Sequence, residues 1–389
     1  MTTRVLFVTP DYPTADGRAV GGVGSACHNL VAALEGFEEF KTHVLVAPAL
    51  TGRESFGNDP TSPEQHKVTR LAPLPDRWHP LDALWSRVHV LSRAIRRIPH
   101  DVLHVQGMDL LAGIHAGART ILTLHGVIER DSYYRGGVST RWIRRALMGW
   151  LCRRARAAVP NLIAINPYNR EFLKLGSAHR VWDIPNAVRE SCFLAHRAPE
   201  AGRVLMAGRV TARKNVLGAI RAFASAARAH PQATLRIAGD GDPTYITRCM
   251  QLANNLGLSD RVVLLGSLTA TALELEMARC HCLLHCSLQE TAPLVFSEAM
   301  AIGAPIVATD AGGARFMITP GTTGLIAPAG NVDCIAACLR TILLSPDEAA
   351  DMGARAREVA RATYHPAVIG HRTVDVYRAV LRAGASRTA

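Results

Sequence analysis

Short, almost uninterrupted apolar runs punctuate the first half of the chain: RVLFVT (Arg4–Thr9), THVLVAP (Thr42–Pro48), DVLHVQG (Asp101–Gly107), TILTLHG (Thr120–Gly126) and LIAINP (Leu162–Pro167). Runs of this length without polar alternation are the pattern of strands buried on both faces of a parallel sheet. Between them, apolar residues recur at helical spacing, as in Leu30, Val31, Leu34 and Phe37, and again from Trp85 to Ile98. Asn58 to Pro80 reads as a polar, Pro-rich connection, RVWDIPNAV (Arg180–Val188) closes the alternation, and SCFLAHRAPEAG reads as a linker. The alternation then restarts with RVLMAG (Arg203–Gly208), TLRIAGDGD (Thr234–Asp242), RVVLLGSL (Arg261–Leu268), CHCLLHC (Cys280–Cys286) and PIVAT (Pro305–Thr309). Helices are predicted over Ile246–Leu256, Leu273–Ala278, Val332–Leu344, Pro346–Tyr364 and Val368–Leu381. The pattern predicts two successive α/β domains, 1–195 and 200–365, each a doubly wound parallel sheet, facing a cleft. A terminal segment, 366–389, is predicted to cross back to the first.

Length and composition narrow the class. A chain of 389 residues suits two domains with separate cores. No apolar run approaches the ~18 residues of a membrane-spanning helix, and the amino terminus lacks a secretory pattern, so a cytoplasmic enzyme is expected. Nine cysteines, an odd number, do not read as a disulfide framework. Cys280, Cys282 and Cys286, interleaved with His281 and His285, lack paired CxxC spacing and read as packed thiols. The formal charge of +12 predicts affinity for anions, whether nucleotide phosphates, anionic lipid or nucleic acid. No nucleic-acid motif or aromatic-interleaved basic strip accompanies it, so no nucleic-acid partner is expected. From Thr140 to Val159 the chain places Arg141, Arg144, Arg145, Arg153, Arg154 and Arg156 among Trp142, Ile143, Leu147, Trp150 and Leu151, with no acid. That pattern fits either an ordinary helix with its apolar stripe in the core or a peripheral contact with anionic membrane.

The candidate chemistry concentrates in LQETAPLVFSEAMAIGAPIVATDAGG (Leu288–Gly313). Glu290 and Glu298 stand eight positions apart, and Pro293 marks a helix start, with Thr291 or Glu290 as the cap and Glu298 about two turns inside. Unpaired N–H groups at such a helix mouth suit a phosphate. GRVTARKNV (Gly208–Val216) puts Arg209, Arg213 and Lys214 just after a strand, a planar fork and a point charge for a diphosphate. Carboxylates accept from vicinal hydroxyls, so Glu290 and Glu298 suit a ribose and a sugar flanking it. In the first domain, Gly22, Gly24 and Cys27 follow the first strand; a GxGxxG would need a third Gly, and the stretch fits a flexible loop as well as a ligand loop. His125 lies at a strand's carboxyl end, where α/β sheets place ligands, whereas His104 reads as a core histidine. No P-loop, HExxH or GxSxG is present.

On AGRVTARKNV, IAGDGD, LLGSL, the Glu290/Glu298 pair and DAGG…GTTGLIAPAG, with GGVG, TLHG and IPNAV in the first domain, the chain resembles the retaining GT-B glycosyltransferases of family GT4 along nearly its whole length. The resemblance implies a GT-B fold of two Rossmann-like domains and transfer of a sugar from a nucleotide-diphosphate donor to an acceptor hydroxyl, with retention and without a metal or other cofactor. It implies a donor-binding set of Gly22, Arg209, Lys214, Glu290, Leu294, Val295 and Glu298. Arg209 and Lys214 would take the diphosphate, Glu298 the ribose, and Glu290 the sugar hydroxyls. Glu290, His125, Arg209 and Lys214 would act in catalysis. The acceptor, a saccharide, lipid-linked glycan or other glycoconjugate, would meet first-domain loops such as Asp11–Val20 and Glu129–Val138. Thr291-Ala292-Pro293 replaces the family's Gly-Phe-Gly, Asn215 replaces a Gly, and Phe316 stands where a Glu is frequent. A GT-B sugar-nucleotide epimerase and a non-catalytic glycan- or lipid-binding GT-B module are the alternatives.

Overall fold

The computed structural model describes residues 2–14, 21–47, 66–72, 80–127, 141–173 and 179–385. The chain forms two compact units, Met1–Ala187 with Pro366–Ala389, and Val188–His365. The loops Asp11–Val20 and Glu129–Val138, expected from the sequence to meet the acceptor, lie largely outside the described residues.

The first unit holds seven parallel strands: β1 (Thr3–Thr9), β2 (Phe40–Val46), β3 (His66–Arg70), β4 (Val102–Gln106), β5 (Thr120–Leu124), β6 (Asn161–Ala164) and β7 (Arg180–Asp183). Their order is β3-β2-β1-β4-β5-β6-β7. The apolar runs become the central strands because every residue of β4 and β5 is buried, as parallel strands covered on both faces must be. β3 lies inside the stretch expected to be a connection. Its sequence, HKVTR, carries the charges that protect an edge strand, and those charges hide it.

Two apolar layers enclose this sheet. One joins Phe7, Val31, Leu34 and Val44 to Ile369, Val376, Tyr377 and Val380 of the helix Pro366–Ala385. The other joins Leu6, Val8, Leu91, Leu103, Leu122 and Leu162. Gly370 makes the first docking possible: a Cβ there would lie 2.6 Å from the Ala33 carbonyl oxygen.

The helix Arg141–Ala158 departs from the reading that puts its whole apolar stripe in the core and its arginines in water. Arg156 is buried and bonds to Asp109 at 2.6 Å, so one arginine of the basic stretch has a counter-charge. Asp109 opens a short helix, Asp109–Ile114, that packs on this one through Gly113 against Ala155. With that face taken, Leu147 and Trp150 are turned out to solvent.

The second unit holds six parallel strands: β8 (Arg203–Ala207), β9 (Thr234–Ala238), β10 (Val262–Gly266), β11 (Cys282–His285), β12 (Ile306–Thr309) and β13 (Leu325–Ala327). Their order is β10-β9-β8-β11-β12-β13. This unit begins at Val188, ahead of the expected linker. Val188, Cys192 and Phe193 bury in its core, and SCFLAHRAPEAG opens as the short helix Glu190–Leu194.

Candidate donor-binding site

In the second sheet the winding direction reverses between β8 and β11. Open α/β sheets bind ligands outside the carboxyl ends of the strands at such a reversal. The predicted cations follow β8 and the predicted carboxylate follows β11, so the fold brings together two segments separated by some seventy residues of sequence.

After β8, Gly208 adopts φ +130°, a conformation that side-chain-bearing residues rarely enter. The Lys214 side chain passes beside it: a Cβ on Gly208 would lie 3.4 Å from Lys214 Cε. Thr211 caps a one-turn 3₁₀ helix, Ala212–Lys214. Asn215 then takes a left-handed conformation, φ 52°, ψ 48°, and caps the helix Val216–Ala226 by accepting from Gly218 N–H at 3.2 Å. Asn is among the few residues that tolerate this geometry, which explains how it stands in for Gly.

Glu290 is the centre of the arrangement. Lys214 Nζ donates to its Oε1 at 2.7 Å, Arg213 Nη1 lies 3.3 Å from the same oxygen, and His285 Nε2 lies 3.2 Å from it. Arg213 also donates to the Gln289 carbonyl at 2.7 Å, and Ser287 Oγ lies 2.9 Å from His285 Nε2. The Glu290 carbonyl accepts from Gly313 N–H at 2.9 Å, with Gly312, φ +59°, pressed against it where a Cβ would collide. Burial pushes the Glu290 carboxyl up, but Lys214, His285 and Arg213 outweigh burial and hold it well below the ordinary carboxylate range. Burial, then Lys214, pushes the His285 ring down. Burial and the neighbouring cation thus favour the neutral imidazole over the charged one.

The next helix is Leu294–Ile302, and Pro293 is its N-cap, at φ −65°, ψ 116°. The expected start is one residue early, neither Thr291 nor Glu290 is the cap, and Glu298 lies just over one turn in. Pro293 supplies no side-chain cap. The N–H groups of Leu294 and Val295 belong to the first turn, where the helix itself offers no carbonyl. Glu298 is buried, as are its helix neighbours Phe296, Ala299 and Met300. Arg189 Nη2 lies 3.6 Å from its Oε1 and 3.9 Å from Oε2 of Glu274. Burial raises the Glu298 carboxyl to about 7, opposed by Arg189 and reinforced by Glu274.

Arg209 follows Gly208 directly and is exposed, without an ion-pair partner among the described residues. The structure thus joins Lys214 to Glu290, leaves Arg209 open on the same side of β8, and sets Glu298 with a different arginine. His285, Ser287, Arg189 and Glu274 were not singled out by sequence. The pattern CHCLLHC presents His285 only as part of a packed Cys/His strand; its place at the end of β11, five residues before Glu290, is the signal that marks it. Cys280, Cys282 and Cys286 are buried free thiols, and among the described residues no three His, Cys, Asp or Glu side chains converge as a metal set.

In the first unit the helix Gly22–Leu34 starts against Asp11. A Cβ on Gly24 would lie 2.8 Å from the Asp11 carbonyl oxygen, so Gly is needed there. The Asp11 carboxyl, pushed up by burial, sits beside this first turn and is drawn down in part by Gly24 N–H and Arg87. At the ends of β4 and β5, His125 Nε2 lies 2.6 Å from Gln106 Oε1. The two side chains share one hydrogen bond, which His125 donates when the carboxamide oxygen faces the ring and accepts when the amide nitrogen does. Burial pushes the ring down to about 4. His104, held between Tyr377 and Thr123, is a core histidine.

Known proteins match this architecture from end to end. Residues 195–359 match the family described as Glycosyl transferases group 1, and residues 20–191 match Glycosyltransferase Family 4. The glycogen synthase of Mycobacterium tuberculosis is 27% identical over 410 aligned positions, covering 97% of this chain and 95% of that protein. The exopolysaccharide phosphotransferase SCO2592 of Streptomyces coelicolor is 31% identical over 65% of this chain, but the match spans only 26% of that relative's length. Among solved structures, the Anabaena protein HepE in complex with UDP-glucose superposes with a TM-score of 0.73 at 20% identity, over 97% of this chain and all of that one.

Proposed function

The chain belongs to glycosyltransferase family 4 and has the GT-B fold, and we propose that it moves a hexosyl group from a nucleotide-diphosphate sugar to an acceptor hydroxyl with retention of configuration. The observation that carries this reading is the meeting of Lys214 and Glu290, a cation and a carboxylate, at the strand reversal between β8 and β11. A diphosphate next to a hydroxyl-rich sugar needs those two groups side by side. The UDP-glucose bound by HepE supports a donor of this class.

In the proposed reaction an acceptor hydroxyl oxygen bonds to the anomeric carbon while the bond from that carbon to the β-phosphate oxygen breaks. The acceptor proton passes to the departing phosphate on the same face. Lys214 and Arg209 stabilise the charge that develops on the diphosphate, an electrostatic contribution that needs no metal. Glu290, held ionised by its neighbours, accepts from the sugar hydroxyls. Glu298 accepts from the ribose, and the Leu294 and Val295 N–H groups face the phosphate side of the helix mouth. Glu290 and Glu298 are binding carboxylates in this scheme, not the acid and nucleophile of a glycosidase.

The test is a panel of UDP- and GDP-sugars, with nucleotide release measured against saccharide and lipid-linked acceptors and the product anomer read by NMR. A retained product that disappears in Lys214→Met supports the proposal. An inverted product, or release unchanged in that variant, overturns it.

A peripheral membrane contact is a second proposal, favoured by one observation. On the helix Arg141–Ala158, exposed Leu147 and Trp150 stand beside exposed Arg153 and Arg154, with Arg154 stacked over the Trp150 ring at 5.3 Å. Apolar anchors among arginines suit an anionic interface. Vesicles containing phosphatidylglycerol should retain the protein at low salt, less so Trp150→Ser; no retention excludes the contact.

A further inference from the structure

Glu298 serves the ribose in the scheme above, but Arg189, which stands against it, has no role there. Glu298 comes from the helix Leu294–Ile302, Arg189 caps the helix Glu190–Leu194, and Glu274 comes from the helix Ala270–Arg279. One guanidinium therefore lies between two carboxylates, at 3.6 Å and 3.9 Å, with its Nη2 also 3.3 Å from the Ala270 carbonyl. Glu274 is held in turn by Ser191, whose hydroxyl donates at 2.7 Å to the oxygen nearest Arg189. Cys192 completes the surroundings, its thiol within 3.7 Å of Glu274. The long helix Pro346–Tyr364 also packs on the Glu298 helix. Its Arg357 bonds to the Phe193 carbonyl and lies near Gly303, at the far end, and its Tyr364 lies buried in the core. β12 (Ile306–Thr309) contributes no titratable group. Beside burial, two neighbours of opposite sign act on the charge of Glu298, one arginine and one glutamate.

We propose that Arg189 is a positioning residue for donor binding: its guanidinium, shared between Glu298 and Glu274, keeps the Glu298 carboxylate charged and oriented to accept from both vicinal hydroxyls of a nucleotide ribose. The proposal rests on the assignment of Glu298 to the ribose. A carboxylate accepts two such bonds with its two oxygens, whereas the protonated acid turns one oxygen into a donor and loses that match. Without Arg189, a buried carboxyl beside Glu274 takes up a proton at a pH where the wild type stays charged. Without the Glu274 charge, the whole guanidinium serves Glu298. The two substitutions therefore act in opposite directions, which a role in folding alone does not produce.

The experiment is calorimetric titration of UDP and GDP into wild type, Arg189→Met, Arg189→Lys and Glu274→Gln from about pH 6 to about pH 9, each variant's fold checked by circular dichroism. The nucleotide's own phosphate titration is common to all four proteins and cancels in the comparison. Arg189→Met should weaken binding about fivefold or more near neutral pH and approach wild type at the alkaline end, as a displacement of the Glu298 titration by about one unit requires. Arg189→Lys should restore most of the loss. Glu274→Gln should extend tight binding to lower pH, and it carries the test by itself if Arg189→Met does not fold. A uniform loss at every pH, or shifts of the same sign in Arg189→Met and Glu274→Gln, overturns the proposal. Parallel titration of 2′-deoxy-UDP and 2′-deoxy-GDP separates the two layers. Equal binding of ribo and deoxy forms by wild type removes the ribose assignment and the proposal with it. A ribose preference that Arg189→Met leaves independent of pH removes the Arg189 proposal alone.

Discussion

Lys214 Nζ stands 2.7 Å from Glu290 Oε1, and that single oxygen also faces Arg213 and His285. Removing one partner of a buried ion pair leaves the other uncompensated, a cost that exceeds the net worth of the pair. Lys214→Met should therefore lower stability by roughly 1–3 kcal/mol, less than an isolated pair because Arg213 and His285 remain. Adding Glu290→Gln should recover most of that loss without restoring transfer. Urea unfolding of the two single variants and the double variant, with activity measured alongside, reads both effects.

Glu298 places a functional group against stability. Its folded-state pKa, about 7, is raised from the ordinary 4.5, so the native state binds the proton more tightly than the unfolded chain. The associated stability is complete below about pH 4.5 and is lost as pH rises through about 7, a span worth about 3 kcal/mol. Glu298→Gln should thus match wild type near pH 4.5 and be more stable by roughly 1–3 kcal/mol near pH 8, while UDP and GDP binding weakens. Denaturation at the two pH values decides it; equal stability of the two proteins at alkaline pH would contradict the assignment.

The histidines of the first unit carry the opposite sign. Burial lowers His104 to about 3 and His125 to about 4, so their contribution is intact above the unfolded value near 6.5 and drains away as pH falls through the folded values. The His125 ring resonances should not move between about pH 8 and about pH 5. An acid limb in the transfer rate within that window then belongs to another group.

Asn215 joins the cation-bearing turn to the helix Val216–Ala226 in a left-handed conformation. Asn215→Ala loses the cap to Gly218 and meets the left-handed penalty, and should destabilise by about 2 kcal/mol. Asn215→Gly loses only the cap and relieves the backbone, so its cost should be less than half as large. Thermal melts of the two variants rank them; an equal cost would place the whole effect in the cap.

Much of the fold was legible because buried parallel strands are apolar without interruption, as in Val102–Gln106 and Cys282–His285. Where the pattern depends on position in the sheet it fails. His66–Arg70 is an edge strand and looks like a polar connection, and Cys192 and Phe193 look like linker until a core is present to receive them. The same limit applies at the site. Glu290, Glu298 and Lys214 could be named from their spacing and neighbours. That Lys214 and His285 share one oxygen of Glu290, and that Arg189 divides itself between Glu298 and Glu274, are relationships across strands and helices. Arg156 shows the converse: the helical period placed it correctly along the chain, but only Asp109 on a neighbouring helix drew it inward.

The return of the helix Pro366–Ala385 to the first unit has a consequence for synthesis. The chain leaves the first unit after Ala187 and re-enters it at Pro366, and the segments at either end of the second unit are tied by a Val188 N–H to Tyr364 carbonyl bond of 3.0 Å. As the polypeptide emerges from the ribosome, Phe7, Val31 and Val44 wait for Ile369, Val376 and Tyr377 while an entire second domain is made. The domain translated first is therefore the last to close its core. A released chain ending at His365 should hold a folded second unit and a protease-sensitive first one.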